Sequence, residues 1–492
     1  MQKQYVLAYD LGTSGVKGAL VDASGNLAFA ATCDYPYERP REGWAEQDPN
    51  DYWKGVCAVT TRLLSDSAVP AQSIMGLSFG TLWKGIIPVA DGRALRKSIL
   101  WLDGRSADQA ERINARFPNA GYSGFDYWPK LLWLRENEPQ LIEQADWILE
   151  VNSFLKWKAT GVAAVDVSNS FLRSFDADLD SYYKKLLAFM DIPRQKIPPF
   201  VDATASVGTV TKQAAQELGI LPGTPVFGGC NDIQAVCVGA GCARVGDVHA
   251  YFGSSGWLGF TVAHTGKPAT TPFDRSRDIQ MAGMKAIGLS LNWVIRTCYP
   301  ELAETLGAGI YDEVNRQVSQ IPAGSDAVLA TPWLFGENPG TAGLDARCCF
   351  LNLSANHTRA HMARAMMEGV CYHLRQVTQR ACRMKELPPP EVICAVGGGA
   401  CSDVWMQMLA DVLNVTVKVP NQPRHAGAIG TAYTALIGLG FCRDYEAAAG
   451  QITFDRCFHP NAENRACYDR GFEVYQTLYT TLKPIFHGKR ES

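Results

Sequence analysis

The hydrophobic and polar positions near the start of this chain form two apolar runs separated by a glycine-rich interruption. The stretch YVLAYDLGTSGVKGALVDASGNL, residues 5–27, carries Asp10 near the end of the first run and Lys17 in the second. It has too few helix formers for an amphipathic helix, and turn residues between β-rich runs are typical of a hairpin. The segment VHAYFGSSGWLGF, residues 248–260, repeats this plan. The pattern therefore predicts two hairpins about half a chain apart.

Strand-like and helix-like segments alternate along most of the remaining chain. A short apolar run bounded by turn residues predicts a buried strand, and apolar residues three or four positions apart predict a helix. Alternation of the two indicates an α/β architecture. The predicted strands are 74–80, 391–400 and 415–420, and the predicted helices are 105–117, 129–137, 359–384 and 403–413.

The length of the chain, 492 residues, exceeds what one hydrophobic core usually serves. We therefore expect two large domains, and the second predicted hairpin places the boundary near residue 244. The predicted domains are 1–244 and 245–485. With 47% apolar and 19% charged residues and no low-complexity tract, the chain is expected to fold.

Charge and cysteine usage exclude several classes of function. Lys and Arg number 46 against 49 Asp and Glu, and no long run of one sign occurs, which disfavours nucleic acid and anionic membranes as partners. No stretch of 18 apolar residues and no signal-peptide pattern is present, so we expect a cytoplasmic protein without membrane contact. The 15 cysteines are scattered and form no CxxC pair, which argues against disulfides and a zinc site.

The first predicted turn combines residues suited to holding a phosphate. Glycines such as Gly12 let backbone N–H groups approach a ligand, Thr13 and Ser14 add hydroxyl donors, and Lys17 adds positive charge. Asp10 would repel a phosphate unless Mg²⁺ stood between them. The same residues also fit an ordinary hairpin turn. The pattern GxxxxGK[ST] of a Walker loop does not occur in the chain.

Two further glycine clusters carry candidate chemistry. After Gly228 and Gly229, Asp232 stands where a helix would begin, so the helix dipole should keep its carboxylate ionised at neutral pH. Such a carboxylate could accept a hydroxyl proton, or it could simply be the N-cap of the helix. Gly397–Gly399 lie between a strand and a helix, where either a nucleotide site or a packing turn is typical.

Eight blocks in order resemble the FGGY carbohydrate kinases, most closely their xylulokinase-like branch. The resemblance runs from residue 5 to about residue 440, nearly the whole chain. The blocks are AYDLGTSGVKGALVD, GWAEQDP (43–49), ILWLDGRS (99–106), KLLWLREN (130–137), GTVT (208–211), GILPGTPVFGG followed by Asp232, GSSG (253–256) and GGGACSDVWMQMLADVLNVTVKVP (397–420).

The resemblance implies two ribonuclease-H-like domains of the actin-like ATPase type with an active-site cleft between them. It implies an ATP-dependent kinase that phosphorylates a hydroxyl of a ketose such as a pentulose, or of a related polyol or sugar acid. Asp232 matches the general base of the family and Asp10 its Mg²⁺-linked acid. A homodimer is expected by family analogy only. The matching phosphate- and nucleotide-binding residues are Gly12, Thr13, Ser14, Lys17, Gly253, Ser254, Ser255, Gly256, Gly398 and Gly399.

The chain departs from the family pattern at its predicted sugar site. Trp83 and Lys84 stand where xylulokinases have Met-His and glycerol kinases have Arg-Glu. Trp83 could stack on a sugar and Lys84 could bind a carboxylate or hydroxyls, or the pair could be a buried Trp and a solvated Lys. Tyr127 and Asn352 replace a small turn residue and a glycine that are usual in the two family signatures.

Other functions stay open beside the sugar kinase. A relative of the same fold could bind a sugar or nucleotide as a sensor without transferring phosphate, although a sensor has no use for Asp10, Lys17 and Asp232. A chaperone-like ATPase of the same fold would lack the blocks at 43–49 and 99–106. A kinase of a polyol-like signalling molecule is a further alternative.

Overall fold

Contacts within the chain divide it into two compact units. Unit 1 and unit 2 are not continuous stretches of sequence, because the chain returns to unit 1 twice after it first leaves at Val245. The computed structural model describes residues 4–118, 120–169, 179–264, 271–338 and 340–486. Unit 1 comprises Met1–Val245, Thr261–Gln280 and His425–Ile452, and unit 2 comprises Gly246–Phe260, Met281–Arg424 and Thr453–Ser492.

Strands and helices alternate along the chain, so the predicted α/β class is confirmed. The strands are β1 (Tyr5–Leu11), β2 (Gly15–Asp22), β3 (Leu27–Asp34), β4 (Glu46–Gln47), β5 (Ile74–Thr81), β6 (Ile87–Ala90), β7 (Arg93–Ala94), β8 (Ser98–Ile99), β9 (Trp147–Leu149), β10 (Val165–Asp166), β11 (Phe200–Val201), β12 (Ser206–Thr209), β13 (Pro225–Phe227), β14 (Cys230–Asn231), β15 (Val248–Phe252), β16 (Gly256–Ala263), β17 (Thr271–Pro272), β18 (Arg277–Met284), β19 (Leu329–Thr331), β20 (Cys349–Leu351), β21 (Val392–Val396), β22 (Thr416–Pro420) and β23 (Phe454–Phe458).

The helices vary in length, and the shortest has 6 residues and the longest has 27. They are α1 (Pro49–Ser67), α2 (Ala107–Arg116), α3 (Tyr127–Asn137), α4 (Pro139–Gln144), α5 (Val151–Thr160), α6 (Leu179–Met190), α7 (Lys212–Leu218), α8 (Asp232–Gly239), α9 (Gly288–Cys298), α10 (Pro300–Leu306), α11 (Ile310–Val318), α12 (Arg359–Lys385), α13 (Asp403–Leu413), α14 (Ala426–Gly438), α15 (Tyr445–Gln451) and α16 (Ala462–Phe486).

The sheet of unit 1 has the strand order β12-β13-β5-β1-β2-β3, with β14 also paired to β5. β1 and β2 form the predicted antiparallel hairpin, while β5, β13 and β14 continue the sheet in the direction of β1. Asp10 on β1 lies opposite Gly80 on β5. The carboxyl ends of these parallel strands therefore meet at one edge of the sheet, where α/β proteins usually bind their ligands.

Helices cover both faces of this sheet. α1 packs on β2 and β3, and α14 packs on β1 and β5. Every residue of β1 is buried, as expected for a strand covered on both faces. The rings of Tyr9 and Phe79 stack between neighbouring strands with centroids 5.3 Å apart. The sheet thus holds the ends of β1 and β5 within the buried core.

α8 and α14 approach each other closely because glycines lie at their contact. A Cβ on Gly430 would collide with the carbonyl oxygen of Ala235, and one on Gly239 would collide with that of Ala426. The same close packing brings Gly427, in the first turn of α14, against the carboxylate of Asp10. Small residues on α14 therefore set the position of a helix N-terminus beside Asp10.

The sheet of unit 2 runs in the order β16-β15-β21-β22-β23. β15 and β16 form the second predicted hairpin, with Phe252 opposite Gly256, and β21 and β22 continue parallel to β15. Phe252 packs edge-on against the buried Trp405 of α13, with centroids 5.3 Å apart. The unit therefore repeats the hairpin-plus-parallel-strand plan of unit 1.

Most of the predicted elements are confirmed. The helix predicted at 359–384 is α12, that at 403–413 is α13, and the strand predicted at 74–80 is β5. The cysteines form no disulfide in the part of the chain that the structure describes. Within the same described ranges, no helix has the length and apolarity to cross a membrane. The division into functional domains 1–244 and 245–485 stays a prediction.

Candidate active site

The turn between β1 and β2 is held from behind through its carbonyl groups. The hydroxyl of Tyr35 donates to the carbonyl of Gly12 at 2.8 Å, and the Tyr35 N–H donates to that of Ser14 at 3.1 Å. The side-chain amide of Gln47 donates to the carbonyl of Thr13 at 3.1 Å. Because these three carbonyls are bound by the body of unit 1, the turn has a fixed shape.

The two glycines that flank this turn differ in whether the surrounding protein excludes a side chain. A Cβ on Gly15 would lie 2.8 Å from the carbonyl oxygen of Cys33, so β3 excludes a side chain there. A Cβ on Gly12 would meet nothing closer than 3.8 Å. Beside the turn, the half-exposed Trp101 donates its indole N–H to the Thr13 hydroxyl at 3.0 Å. The packing of unit 1 therefore requires Gly15 but leaves open space at Gly12.

Asp10 lies at the sheet edge between a cation and a helix N-terminus. It faces Lys17 across the hairpin, with Lys17 Nζ 3.6 Å from Asp10 Oδ2. A Cβ on Gly427 would lie 2.5 Å from the same Oδ2, so the first turn of α14 packs on the carboxylate. Asp10 therefore lies between a lysine ammonium group and the positive end of a helix dipole.

Asp232 is the first residue of α8, but it does not cap the helix. The N-cap is Asn231, whose side chain accepts the N–H of Gln234 at 2.7 Å. The interpretation of Asp232 as an N-cap is therefore wrong. Its side chain is only partly exposed, and it follows the buried β14. The carboxylate is thus available for a role other than capping.

The environment of Asp232 raises its pKa to about 7. Burial is the largest cause and the negative charge of Asp10 the second, while nearby N–H groups and Lys17 act in the opposite direction. The expectation of a fully ionised carboxylate at neutral pH was therefore wrong, since desolvation outweighs the helix dipole. Near pH 7 the carboxyl group populates both protonation states.

Asp10 and Asp232 provide two carboxyl groups at one edge of the sheet. In the described part of the chain, no group of three or more His, Cys, Asp or Glu residues is arranged to hold a metal ion. Mg²⁺ usually binds through one or two protein carboxylates and completes its shell with water and substrate phosphates. Asp10 fits that requirement as a single carboxylate, and Asp232 lies close enough for the charge of Asp10 to raise its pKa.

Lys84 follows β5 and lies in an ion pair. Its Nζ is 2.6 Å from Asp126 Oδ1 and 4.7 Å from the centroid of the Trp83 ring. Its φ of 65° lies in the left-handed region, which is uncommon for a residue with a side chain. The alternative of a solvated lysine is therefore wrong. Contact of either residue with a substrate stays a prediction.

A second lysine, missed in the sequence, lies close to this pair. Lys130 on α3 is fully buried and donates to the carbonyl of Leu100 at 2.6 Å. Burial, followed by the positive charge of Lys84, lowers its pKa to about 7, although Asp103 and Asp126 act in the opposite direction. The signal for a buried lysine was its position next to the apolar residues of the block KLLWLREN. The two neighbouring residues of α3, Tyr127 and Trp128, belong to the hydrophobic core.

Two blocks that are distant in sequence meet in a charged network. Arg105 Nη2 lies 2.7 Å from Glu46 Oε1 and 2.6 Å from Asp103 Oδ2. The Ala45 N–H donates to Asp103 at 2.6 Å, and the guanidinium carbon of Arg105 lies 3.6 Å from the centroid of the Trp44 ring. The segments 43–49 and 99–106 are thus joined by side-chain contacts that their spacing did not predict.

The turn at 253–256 in unit 2 is also held through its carbonyl groups. Gly288 N–H donates to Gly253 at 2.9 Å and Ile287 N–H donates to Ser254 at 3.0 Å. A Cβ on Gly256 would collide with the Tyr251 carbonyl oxygen. The second turn thus shares both the hairpin and the anchoring of the first, while Ser254 is exposed and Ser255 partly exposed.

Packing explains two of the three glycines at 397–399. Gly397 has a φ of 97° and donates to the Pro423 carbonyl at 2.8 Å. A Cβ on Gly399 would lie 3.0 Å from Phe252 Cβ, whereas a Cβ on Gly398 would have no atom within 4 Å. The packing-turn interpretation therefore fits Gly397 and Gly399 but gives no reason for Gly398.

Comparison with known proteins decides the family. A model of the FGGY family of carbohydrate kinases, N-terminal domain, matches residues 5–239, and the model of its C-terminal domain matches residues 268–439. The chain belongs to the FGGY family of carbohydrate kinases. It is therefore an enzyme that phosphorylates a carbohydrate, and sugar kinases of this family use ATP.

Relatives of this FGGY kinase match it over almost their full length. It is 28% identical to a xylulose kinase of Bacillus subtilis over 98% of each chain. It is also 28% identical to an L-xylulose/3-keto-L-gulonate kinase of Escherichia coli, over 99% of this chain and 98% of the relative. The crystal structure of a xylulose kinase from Rhodospirillum rubrum matches 98% of this chain and 100% of its own, with a TM-score of 0.80 and 27% identity.

The FGGY kinase tolerates its departure at Asn352 for a local reason. Asn352 has a φ of 63°, in the left-handed region where glycine is favoured. Asn is the side chain that adopts this conformation most readily, and its amide donates to the Ala327 carbonyl at 3.1 Å. The replacement of a family glycine therefore preserves the backbone conformation.

Proposed function

We propose that this FGGY kinase transfers the γ-phosphate of ATP to a hydroxyl group of a pentulose-like sugar, with Asp232 as the general base. The observation that carries the proposal is a partly exposed carboxyl group, with a pKa of about 7, at the same sheet edge as Asp10 and the β1–β2 turn. A base with a pKa near the working pH combines a useful ionised fraction with a sufficient affinity for the proton.

Asp232 would act on the acceptor hydroxyl. It would accept a hydrogen bond from that hydroxyl, orient its oxygen toward the γ-phosphorus and take up the proton as the new O–P bond forms. Phosphoryl transfer depends mainly on positioning and charge stabilisation, so orientation is as important as the proton transfer.

The phosphates of ATP would bind at the β1–β2 turn. The body of unit 1 occupies the turn carbonyls, and Gly12 has open space where a side chain would otherwise approach a ligand. Lys17, beside Asp10, would add positive charge. Nucleotide binding by Gly253–Gly256 and by Gly398 with Gly399 stays a prediction. The open space at Gly398 is an argument in favour of its role.

Asp10 would hold Mg²⁺, with Asp232 close enough to influence it. A carboxylate at the sheet edge, outside any group of three or more potential ligands among the described residues, suits an ion that also binds phosphate oxygens. When bound, the ion would neutralise charge on the phosphates of ATP. Lys17 would share that role from the neighbouring strand.

The acceptor class follows from the ion pair at Lys84. Because Lys84 is already paired with Asp126, a substrate carboxylate would have to displace an internal carboxylate. The pair offers a donor and an acceptor together, which suits the hydroxyl groups of a neutral sugar. A sugar acid is the second candidate, since the E. coli relative is named for 3-keto-L-gulonate as well as L-xylulose.

The test measures ADP release from ATP·Mg²⁺ with ketopentoses, ketohexoses, pentitols, hexitols, glycerol and sugar acids. We expect a neutral ketopentose to stimulate the wild type most, and Asp232→Asn to lower kcat by roughly 100-fold or more while ATP binding is kept. Asp108→Asn, at an exposed first-turn position of α2, is the matched control and should keep its activity.

Two outcomes would contradict the proposal. Near-normal turnover by Asp232→Asn would contradict the assignment of Asp232 as the general base. Failure of every acceptor to stimulate the wild type, with ATP binding intact and a sugar-induced rise in Tm, would instead support a sensor.

A further inference from the structure

A buried polar network lies behind the loop that carries Asp232. Asp166, Ser168 and Asn169 are completely buried. Ser168 Oγ donates to Asp166 Oδ1 and Asn169 Nδ2 donates to Asp166 Oδ2, both at 2.6 Å. The Ser168 N–H adds a third bond to Asp166 at 2.9 Å. The short turn after β10 is therefore organised around one carboxyl group.

Ser168 connects this turn to the residue that precedes Asp232. The Asn231 N–H donates to Ser168 Oγ and the Asn231 side-chain amide donates to the Ser168 carbonyl, both at 2.8 Å. The other side-chain atom of Asn231, its Oδ1, accepts the N–H of Gln234. One side chain thus caps α8 and clamps its start to Ser168.

The start of the same loop is also fixed. The ammonium group of the buried Lys156 donates to the Gly228 carbonyl at 2.8 Å. Burial lowers the pKa of Lys156, and the nearby charges of Asp166 and Glu150 act in the opposite direction. Cys230 and Asn231 pair with the end of β5. The backbone from 228 to 231 is therefore held at both ends.

A second buried serine shows that this link is specific. Ser153 is also completely buried, and its hydroxyl oxygen lies 2.5 Å from Glu150 Oε1 and 2.6 Å from the Ala164 carbonyl oxygen. Glu150 in turn caps α5. The Ser153 bonds thus stabilise α5 and the chain after it, whereas Ser168 binds the residue adjacent to Asp232.

We propose that Ser168, held by Asp166, is a positioning residue that fixes Asn231 and thereby the direction of the Asp232 carboxylate. The inference rests on the proposed role of Asp232. Its basis is geometric, because two hydrogen bonds from Asn231 end on Ser168 and a third fixes the first turn of α8.

The test compares Ser168→Ala with Ser153→Ala, using ATP·Mg²⁺ and the acceptor that the wild type phosphorylates fastest. Each variant loses one buried hydroxyl bound to a buried carboxyl group, so we expect similar decreases in Tm. Ser168→Ala should lower kcat by about 10- to 100-fold with an unchanged KM for ATP, since small misplacements of a reacting group cost up to about 100-fold. Ser153→Ala should keep kcat within about twofold, because none of its contacts involves the loop.

Equal kcat values for the two variants would overturn the proposal. If Ser168→Ala fails to fold, Asn231→Ser tests the second bond between the two residues, since serine keeps the cap but removes the amide donor to the Ser168 carbonyl. A wild-type kcat for Asn231→Ser would also overturn it. Asp232→Asn, measured in parallel, separates the two hypotheses. If Asp232→Asn loses turnover while Ser168→Ala and Ser153→Ala have equal kcat values, only the positioning role of Ser168 is refuted. If Asp232→Asn retains turnover, the role of Asp232 as general base is refuted.

Discussion

The two hairpins close on loops of different length and carry different side chains across their strands. The loop of unit 1 is 12–15, between Leu11 and Val16, and the loop of unit 2 is 253–255, between Phe252 and Gly256. In unit 1 the cross-strand pair beside the turn is Asp10 and Lys17, an ion pair. In unit 2 the corresponding pair is Tyr251 and Trp257, whose rings lie 4.4 Å apart. Both turns are anchored through their carbonyl groups. The comparison shows that anchoring through carbonyl groups recurs in both hairpins, while the cross-strand pair near the turn is charged in unit 1 and aromatic in unit 2.

Removing one member of the charged pair gives the largest expected effect, and removing one member of the aromatic pair is the comparison. Asp10→Asn should lower kcat by about 100- to 1,000-fold, the scale of a lost charge-stabilising group in a kinase or hydrolase site. Trp257→Leu should lower Tm and leave kcat within about threefold, because it removes a ring contact and the indole N–H bond to the buried His249 but no charge. Steady-state kinetics and thermal melts of both variants check this, and equal losses of kcat would refute the asymmetry between the turns.

The pH dependence tests whether the charges of unit 1 tune the base. Asp232 must be ionised to accept a proton, and its pKa is about 7, with Asp10 and Lys17 as the charged groups that act on it. We therefore expect kcat/KM to fall about tenfold per pH unit below pH 7 and to level off above it. A profile that stays flat down to pH 5 would contradict the assignment.

The same raised pKa has a consequence for stability. A carboxyl group with a folded pKa above its unfolded value destabilises the fold once it ionises, so its effect is small below pH 4 and grows as pH rises toward 7. Asp232→Asn should therefore have a higher Tm than the wild type at pH 8, and this advantage should shrink toward pH 4. Thermal melts at the two pH values measure it, with Asp108→Asn as the control.

Substitutions at two glycines of the first turn distinguish a position that a ligand would occupy from a position that protein packing excludes. Gly12→Ala should keep the Tm of the wild type and raise the KM for ATP by about tenfold, because its Cβ meets only open space in the protein. Gly15→Ala should lower the free energy of unfolding by about 1–3 kcal/mol, because β3 excludes a Cβ there. An unchanged KM for ATP in Gly12→Ala would mean that no ligand uses this space.

The smallest expected effect concerns the acceptor. Lys84→Gln breaks the pair with Asp126 and should raise the KM for the acceptor about three- to tenfold, the scale of a single hydrogen bond, without changing that for ATP. Lys97→Gln is the matched control, since it breaks a more exposed pair with Glu38. A greater activity of Lys84→Gln on sugar acids would contradict the preference for neutral sugars.

Local pattern predicted much of the fold because its signals are short in range. The glycine turns between apolar runs marked both hairpins, and helical spacing marked α12 and α13. The family blocks, in their order, indicated the kinase. Asp10 and Asp232 were found in the same way, since Asp10 lies near the end of a strand and Asp232 directly follows one.

The roles of individual polar groups depended on residues far away in the chain. Asp232 looked like a helix cap, but the cap is Asn231, and Asp10 together with burial sets its pKa. The sequence left open whether Lys84 is solvated or binds a substrate, but it pairs with Asp126, 42 positions later. Nothing in the local pattern around Ser168 indicates its two bonds to Asn231.

The sequence by itself determined the elements, the family and the acidic residues at the ends of strands, because hydrogen-bond periodicity and turn chemistry act over a few residues. Only the tertiary structure decided which carboxyl group is desolvated, which lysine is paired and which serine binds the residue before Asp232. These properties depend on burial and on charges brought together by the parallel strands β1, β5 and β14, and no local pattern records them.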